Sequence, residues 1–254
     1  MELKDKTIVI TGGGRGLGAA MGTRLAAQGS RLALVDLDGD ALAATKNACQ
    51  SAGAGEVRTY ECNVAKEDAV ESLFDSIAKE FGALHGLVNN AGITRDALTL
   101  KYKDGEFVSK MTMEQWQAVI DVNLTGVFLC GREAAKKMID LECRGCIINI
   151  SSISRYGNMG QLNYSASKAG VAAMAVVWAK EFARYGLRAA AIAPGFIGTE
   201  MVMAMKPEAR EKLTANIPLR RIGDPDEIAQ TVQFIFENDY VSGRCFDIDG
   251  ALRL

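Results

Sequence analysis

Short apolar runs alternate along this chain with longer mixed segments. Thr7-Ile8-Val9-Ile10 reads as a first strand and Arg31–Asp36 as a second. Val57–Cys62, Gly86–Asn90, Cys146–Ser151, Arg188–Ala193 and Cys245–Asp249 read as five more. Such near-continuous apolar strands suit a parallel sheet covered on both faces. Helical segments fall between them at 17–28, 38–52, 67–81, 112–139, 164–185 and 225–237, and Thr112-Met113-Glu114-Gln115 has the form of a capping box opening the fourth. Strand–helix alternation with right-handed crossovers predicts an α/β fold, a doubly wound parallel sheet with helices on both faces. No repeat or linker interrupts it, so one domain is expected over 1–254.

Two segments break the rhythm. Residues 93–111 form a long connection, with a small hairpin expected around Asp104-Gly105. Residues 195–217 carry Met201, Met203 and Met205 and are expected to form a substrate loop. Both follow strand C-terminal ends, where ligands bind in such sheets. Loops of this length are often lids or binding segments.

Composition narrows the function. The chain has 254 residues, 48% hydrophobic and 24% charged, with a net charge of -2. That balance gives no reason to expect nucleic acid or an anionic membrane as partner. No run reaches the ~18 apolar residues of a spanning helix, and the charged start Met1–Lys6 does not resemble a secretory signal. The six cysteines are scattered and read as reduced thiols of a cytoplasmic protein. Cys143 and Cys146 form a C-x-x-C without the further ligands a metal site would need, so no metal is expected. The single histidine, His85, disfavours a Ser-His-Asp hydrolase or a zinc alcohol dehydrogenase.

The first strand runs into Thr11-Gly-Gly-Gly-Arg-Gly-Leu-Gly18 and then a helix. Gly12, Gly14, Gly16 and Gly18, with Arg15 and Leu17, form a turn that a diphosphate can approach closely at the positive end of a helix. Asp36, ending the second strand, can accept hydrogen bonds from the adenosine ribose and would repel a 2′-phosphate. Arg15 pulls the other way. The expectation is NAD(H) on Asp36, with NADP(H) the alternative through Arg15. Asn90, Ala91 and Gly92 end the fourth strand in a small-residue turn that lets a cofactor pass.

Tyr164-Ser-Ala-Ser-Lys168 places a phenol and an ammonium one helical turn apart. A cation beside a phenol stabilises the phenolate and lowers a pKa that is otherwise near ~10. The pair can then exchange a proton with an oxygen that gains charge as hydride arrives. Ser151, 13 residues before Tyr164, could hydrogen-bond that oxygen, with Ser152 and Ser154 competitors on position alone. Asn123 interrupts an apolar helix and is either functional or hydrogen-bonded to a loop. On the substrate side, Ile153, Gln161, Phe196 and Met201 join Ser151 and Tyr164 as candidates.

Taken in order, TGGGRGLG, NNAG, Asn123, Ser151, YSASK, Pro194-Gly195, Thr199 and the late IDG resemble the short-chain dehydrogenase/reductase family over nearly the whole chain. The resemblance implies a seven-stranded sheet in the order 3-2-1-4-5-6-7. It implies a catalytic tetrad of Asn123, Ser151, Tyr164 and Lys168, with Asn123 holding a relay water. It implies cofactor contacts from Asn63, Val64, Pro194, Gly195, Ile197 and Thr199 besides those above, and from Tyr164 and Lys168 themselves. Asn63 stands where the family usually has Asp. A homotetramer packed through the helices at 112–139 and 164–185 is also implied, with Gly170, Ala172, Ala173 and Ala175 allowing close contact.

Within the family, NNAGITRD, GNMGQLNYSASKAG, APGFIGTEM and IPLRRIGDPDEIA are most similar to 3-oxoacyl-[acyl-carrier-protein] reductases. The implied substrate is a 3-oxoacyl thioester on acyl carrier protein or coenzyme A, with a free ketone or secondary alcohol as the alternative. Residues 93–111 are longer than such reductases usually show. An acidic carrier protein needs a basic docking surface, whereas Asp140, Glu142 and Tyr185 lie among Lys136, Lys137 and Arg184. Two other functions compete. A sugar epimerase would need a larger C-terminal part, and a non-catalytic dinucleotide-binding scaffold would not need Tyr164 and Lys168 together.

Overall fold

The computed structural model describes residues 1–253, except for the side chains of Met201 and Ala209. Seven parallel strands form one sheet: β1 (Thr7–Thr11), β2 (Arg31–Asp36), β3 (Glu56–Glu61), β4 (Gly86–Asn89), β7 (Gly145–Ile150), β8 (Leu187–Pro194) and β9 (Cys245–Ile248). Their order is β3-β2-β1-β4-β7-β8-β9, which is the expected topology once the hairpin β5 (Leu100–Lys103) and β6 (Glu106–Lys110) is set aside. Each apolar run of the sequence became a strand within one or two residues of its expected bounds.

Two-residue alternation explains why both faces are dry. On β1, Ile8 and Ile10 join one core cluster with Leu34, Ile148 and Phe236, while Val9 joins the other with Ala33, Leu87, Phe74 and Ile147. The first cluster packs under α1 (Gly16–Ala27), α2 (Gly39–Ala52) and α9 (Pro225–Glu237). The second packs under α3 (Glu67–Phe81), α5 (Gly126–Asp140) and α6 (Leu162–Glu181). Phe74 and Phe236 are completely buried. Truncating such a side chain costs about 3–5 kcal/mol.

The helix expected over 112–139 is interrupted. Thr112 and Gln115 make both bonds of the capping box at the start of α4 (Met113–Ile120). A π-turn over Asp121–Thr125 then separates α4 from α5. It places Asn123, fully buried, toward β4. The segment 195–217 also differs from the loop expected. It contains α7 (Glu200–Met203) and α8 (Pro207–Asn216), the latter opened by Pro207. Proline suits a first helical turn, where its missing N–H has no partner to lose. The hairpin is as expected, with Asp104 and Gly105 at φ of 52° and 85° in its turn.

β1 pairs with β2 on one side and β4 on the other. The chain reverses its direction of travel across the sheet there, so the crossovers diverge and leave a crevice at the strand C-terminal ends. The glycine turn sits at its mouth because α1 starts very close to β1. A Cβ on Gly18 would stand 1.9 Å from the Gly12 carbonyl oxygen and 2.9 Å from Gly13 Cα. Gly18→Ala should therefore force α1 away from the turn. We expect a loss of about 1–3 kcal/mol in urea unfolding and weakened NADH binding in a fluorescence titration. Unchanged stability and affinity would show that the approach is less constrained than the geometry requires.

Candidate active site

The crevice holds a cleft of about 250 Å³. Leu17 and Asn90 line one side, Ser151, Ser152, Tyr164 and Lys168 another, and Pro194, Gly195, Phe196, Ile197, Thr199 and Val202 close it from β8 and α7. A larger hollow, about 850 Å³, lies on the outer faces of α5 and α6 between Phe128, Trp178 and Tyr185 and shares no residue with this cleft.

The glycine turn is shaped for an anion. Gly12 and Gly16 take φ of 64° and 54°, which favours glycine. α1 begins without a side-chain cap and without an acid in its first turn, so its opening amides and dipole face the cleft mouth. Gly16 faces Thr199, whose Cγ2 would lie 3.7 Å from a Cβ there. Thr11 and Asn90 brace the turn from behind. The Asn90 amide donates to the Thr11 and Gly12 carbonyls at 3.0 Å each, and Thr11 Oγ1 accepts from the Asn90 and Ala91 amides at 3.0 and 3.1 Å. The Asn90 side chain thus holds the loop, while Ala91 and Gly92 keep the passage open.

Asp36 leans over this turn. Its Oδ2 accepts from Gly14 N at 3.0 Å and its Oδ1 from Leu37 N at 2.7 Å. Arg15 pairs with Asp38. Asp38 also caps α2 by accepting from Ala41 N at 3.0 Å. That backbone bond and the Arg15 charge hold the Asp38 carboxyl below the usual range. The cation read as a 2′-phosphate partner is therefore engaged by a carboxylate of its own chain. Asn63 and Val64 sit at the turn between β3 and α3. Asn63 Oδ1 accepts from Ala65 N at 3.0 Å, and Val64 packs against Gly126.

Tyr164 and Lys168 project into the cleft from adjacent turns of α6. Lys168 is 4% exposed, and its Nζ lies 5.5 Å from the centre of the Tyr164 ring. The ammonium donates to the Ile150 carbonyl at 2.8 Å, and burial pulls its pKa down to about 8. Burial also pushes the Tyr164 phenol above its ordinary pKa; a hydrogen bond from Ser152 opposes this, and the Asp96 charge adds to it. The lowering expected from Lys168 is not what dominates. Desolvation is the larger effect on both groups, and the ammonium is turned toward Ile150.

The two adjacent serines have different partners. Ser151 Oγ donates to the Lys168 carbonyl at 2.6 Å and is 2% exposed, so it joins the end of β7 to α6. Ser152 is the hydroxyl that acts on Tyr164. Its Oγ also accepts from Ser154 N at 3.1 Å, capping a short 3-10 turn over Ile153–Tyr156. Asn123 is bonded to a loop: Oδ1 accepts from Ile93 N at 2.8 Å and Nδ2 donates to Ile93 O at 2.9 Å. It thereby fixes the wall that runs from Gly92 to Thr94.

The substrate-side residues divide. Phe196 lines the cleft. Ile153 is buried in a small cluster with Ile217 and Leu252, against Phe196. Gln161 donates to Asp96 at 2.9 Å and accepts from Ser154 at 3.1 Å and Asn158 at 2.9 Å, tying the 93–111 segment to the approach to α6. The side chain of Met201 lies outside the described residues. Sequence reasoning missed Thr11 and Asn163. The latter accepts from Tyr164 N at 2.8 Å and donates to the Arg95 and Gln115 carbonyls, seating Tyr164 against that segment. The N-N-A-G and N-Y adjacencies were the available signals. His85 is structural: it accepts from Thr7 N at 3.2 Å, and burial lowers its pKa to about 4.

Comparison with known proteins agrees with this arrangement. The family described as enoyl-(acyl carrier protein) reductase matches residues 12–252. The 3-oxoacyl-[acyl-carrier-protein] reductase of Thermotoga maritima is 39% identical over 99% of both chains. The acetoacetyl-CoA reductase of Synechocystis is 41% identical over 99% of this chain and 98% of its own. The mouse (3R)-3-hydroxyacyl-CoA dehydrogenase is 37% identical with the same coverage. The crystal structure of levodione reductase superposes with a TM-score of 0.87 at 35% identity over 97% of each chain. The family match spans nearly the whole chain, the relatives match it at full length and the fold is shared, and the chain belongs to the short-chain dehydrogenase/reductase family.

Proposed function

We propose that this oxidoreductase reduces a 3-oxoacyl thioester to the 3-hydroxyacyl form with NADH. The observation that carries the chemistry is the meeting of Tyr164, Ser152 and Lys168 on one wall of a cleft whose mouth is the glycine turn. A nicotinamide dinucleotide, when bound, supplies the hydride. Gly12, Gly14, Gly16, Leu17 and Gly18 would hold its diphosphate, Asp36 its adenosine ribose, and Ile197 and Thr199 its carboxamide end. The uncapped start of α1 and the close fit at Gly18 support that placement. Asn63 and Val64 would flank the adenine from the end of β3.

The chain's own groups manage the oxygen and its proton. Ser152 Oγ and the Tyr164 hydroxyl donate to the carbonyl oxygen and orient it. As negative charge builds there, the Tyr164 proton passes to it, leaving a phenolate. The neighbouring ammonium stabilises that phenolate. Lys168 can pass a proton on near neutrality because burial has brought its pKa to about 8. Asn123 acts by fixing Ile93. Because both ends of its amide are engaged there, a relay water would rest on its main-chain carbonyl within the π-turn.

A thioester is favoured by relatives that act on such substrates at 37–41% identity. The cations on the α5–α6 face give little support to carrier-protein docking. Lys136 pairs with Asp140 at 2.7 Å, Lys137 with Asp75, and Arg132 with Glu67 and Glu133. The same face, with Phe128, Val176 and Val177 exposed beside a long hollow, is the surface we assign to a homotetramer. A free ketone or secondary alcohol is the second reading, and the fold match to levodione reductase is what favours it. Acetoacetyl thioesters and ketones assayed with NADH decide the matter: turnover of ketones alone would overturn the thioester reading.

Ser152→Ala should lower kcat by about 10²–10³-fold, the usual loss of an oxyanion donor. Ser151→Ala should mainly lower stability, seen in urea unfolding. The reverse pattern would return the role to Ser151.

Asp36→Ala should cut the NADH over NADPH ratio of kcat/KM about tenfold, a change of 1.4 kcal/mol. An unchanged ratio would show that Asp36 does not set the preference.

Lys168→Met should abolish turnover yet raise stability at pH 7 by about 1–2 kcal/mol, because the native chain there must hold a proton on a buried amine. The native pKa lies below the unfolded value, so the penalty is full below pH about 8 and fades as pH rises toward the ordinary lysine value near ~10.4. Urea unfolding at pH 7 and pH 10 measures this; a gain that persists at the higher pH would contradict it.

A further inference from the structure

The β5–β6 hairpin is the most prominent feature that the reaction chemistry leaves unused. It is rooted in the catalytic wall. Ala97 N donates to Gly160 O at 2.9 Å, and Arg95 O accepts from Asn163 Nδ2 at 3.1 Å, one residue from Tyr164. From that root both strands run outward with every residue exposed. Four strand residues at ~3.3 Å each reach roughly 13 Å.

The ladder sorts its side chains. Leu100 pairs with Lys110 and Tyr102 with Phe107, which gives an apolar face ending in a cation. Lys101 pairs with Ser109 and Lys103 with Glu106 on the other face. Tyr102 and Phe107 meet edge to face at 5.8 Å, yet stand 61% and 54% exposed. Lys103 has a carboxylate across the ladder. Lys101 and Lys110, at the root, face Ser109 and Leu100 instead. Neither they nor Arg95 enter an ion pair among the described residues.

An isolated two-stranded hairpin is marginal in water, and exposed aromatic rings gain from being covered by a flat partner. A cation at the root of that face, Lys110, and the rings beyond it fit a ligand that is both anionic and planar. We propose that this hairpin binds the adenine nucleotide end of a coenzyme-A thioester, so that the substrate class of the site is acyl-CoA. The inference rests on the thioester reading above. Phosphates would lie on Lys110, on the same face as the rings, and the purine against Tyr102 and Phe107. A free ketone offers neither group, and a carrier protein offers no purine.

The test uses the full chain and two variants, K110Q and Y102S/F107S. Each should raise KM for acetoacetyl-CoA about threefold or more, the scale of a weakened exposed contact. The kcat, and the KM for the acetoacetyl thioester of N-acetylcysteamine, which lacks nucleotide and phosphate, should stay within about twofold. Equal shifts for both thioesters, or none for either, would overturn the proposal. So would a fall in native mass by light scattering, which would show that a second copy covers the rings. If the unmodified protein turns over neither thioester, the proposed function has failed. The hairpin is then judged separately by calorimetric titration of coenzyme A in saturating NAD: binding lost in both variants sustains its role, and equal binding refutes it.

Discussion

An ammonium held in the protein interior sets the terms for the rest of this structure. Among the described residues the Lys168 ammonium has one hydrogen-bond partner, the Ile150 carbonyl at the end of β7. Taking a charge out of water costs several kcal/mol, and one carbonyl repays only part of it. The surroundings must therefore be rigid enough to deny the side chain a way out. Ser151 ties the Lys168 main chain to β7. Asn89 bonds Asn149, which in turn reaches Val171, so β4, β7 and α6 are stitched by buried amides at depth. Asn123 and Gly92 close the remaining side: a Cβ on Gly92 would stand 3.4 Å from Asn123 Oδ1 and 3.6 Å from Lys168 Nζ. Each of these polar residues is buried and each is satisfied, which is the condition for a polar core to add rigidity rather than weakness.

What was legible in the sequence follows from which physics is local. Strand positions were readable because an apolar run covered on both faces leaves no room for polar interruptions, and β2 and α3 fell on their expected bounds. The glycine turn and Tyr164–Lys168 were readable because each role is fixed by spacing within one element. The choice between Ser151 and Ser152 was not. It depends on where β7 stops and how the chain turns into the 152–156 segment. Ser151 N still bonds Ile192 O at 2.6 Å, extending the ladder one residue beyond β7, and the Ser151 hydroxyl is taken up by the Lys168 carbonyl of α6. A count of residues back to Tyr164 carries no information about that turn. The π-turn at Asn123 was hidden for a similar reason. Its residues fit a continuous helix on propensity, and only the hydrogen bonds to Ile93, thirty residues away in sequence, select the wider turn. Helices α7 and α8 were read as loop because α8 is polar on nearly every side and lacks an apolar stripe to mark it.

The electrostatics show how burial and pairing share the work. Around the glycine turn, charges sit near solvent and are matched: Arg15 by Asp38, Arg24 by Asp226 at 2.6 Å. At the catalytic wall the charges are few, deep and mismatched, and desolvation moves both Tyr164 and Lys168 toward their neutral forms. A neutral phenol is the proton donor that carbonyl reduction needs. A lysine that titrates near neutrality can replace that proton, whereas a fully solvated ammonium would hold its own too tightly at pH 7. Raising the phenol and lowering the ammonium separates two groups whose ordinary values nearly coincide and makes Lys168 the stronger acid, so burial of the pair favours proton transfer from Lys168 to a Tyr164 phenolate.

Substrate choice is placed where it can vary without disturbing this core. Both segments outside the strand–helix rhythm leave from strand C-terminal ends: 93–111 from β4 and 195–217 from β8. Among the described residues neither contributes a strand to the seven-stranded sheet, and every residue of the two hairpin strands is exposed. Removal or growth of the hairpin would change what meets the substrate while leaving Asn123, Ser152, Tyr164 and Lys168 in place. Full-length relatives at 35–41% identity bear names for different carbonyl substrates, which is what a fixed proton-handling core with exchangeable rims would produce. The tie at Gln161 is the exception. By bonding Asp96 on one side and Ser154 on the other, it couples the variable segment to the turn that carries Ser152. A rearrangement of the 93–111 segment that broke this bond would reach Ser152, to which we assign the substrate oxygen, so the root of the hairpin is under the same constraint as the wall that carries Tyr164, and only the part beyond Ala97 is free to diverge.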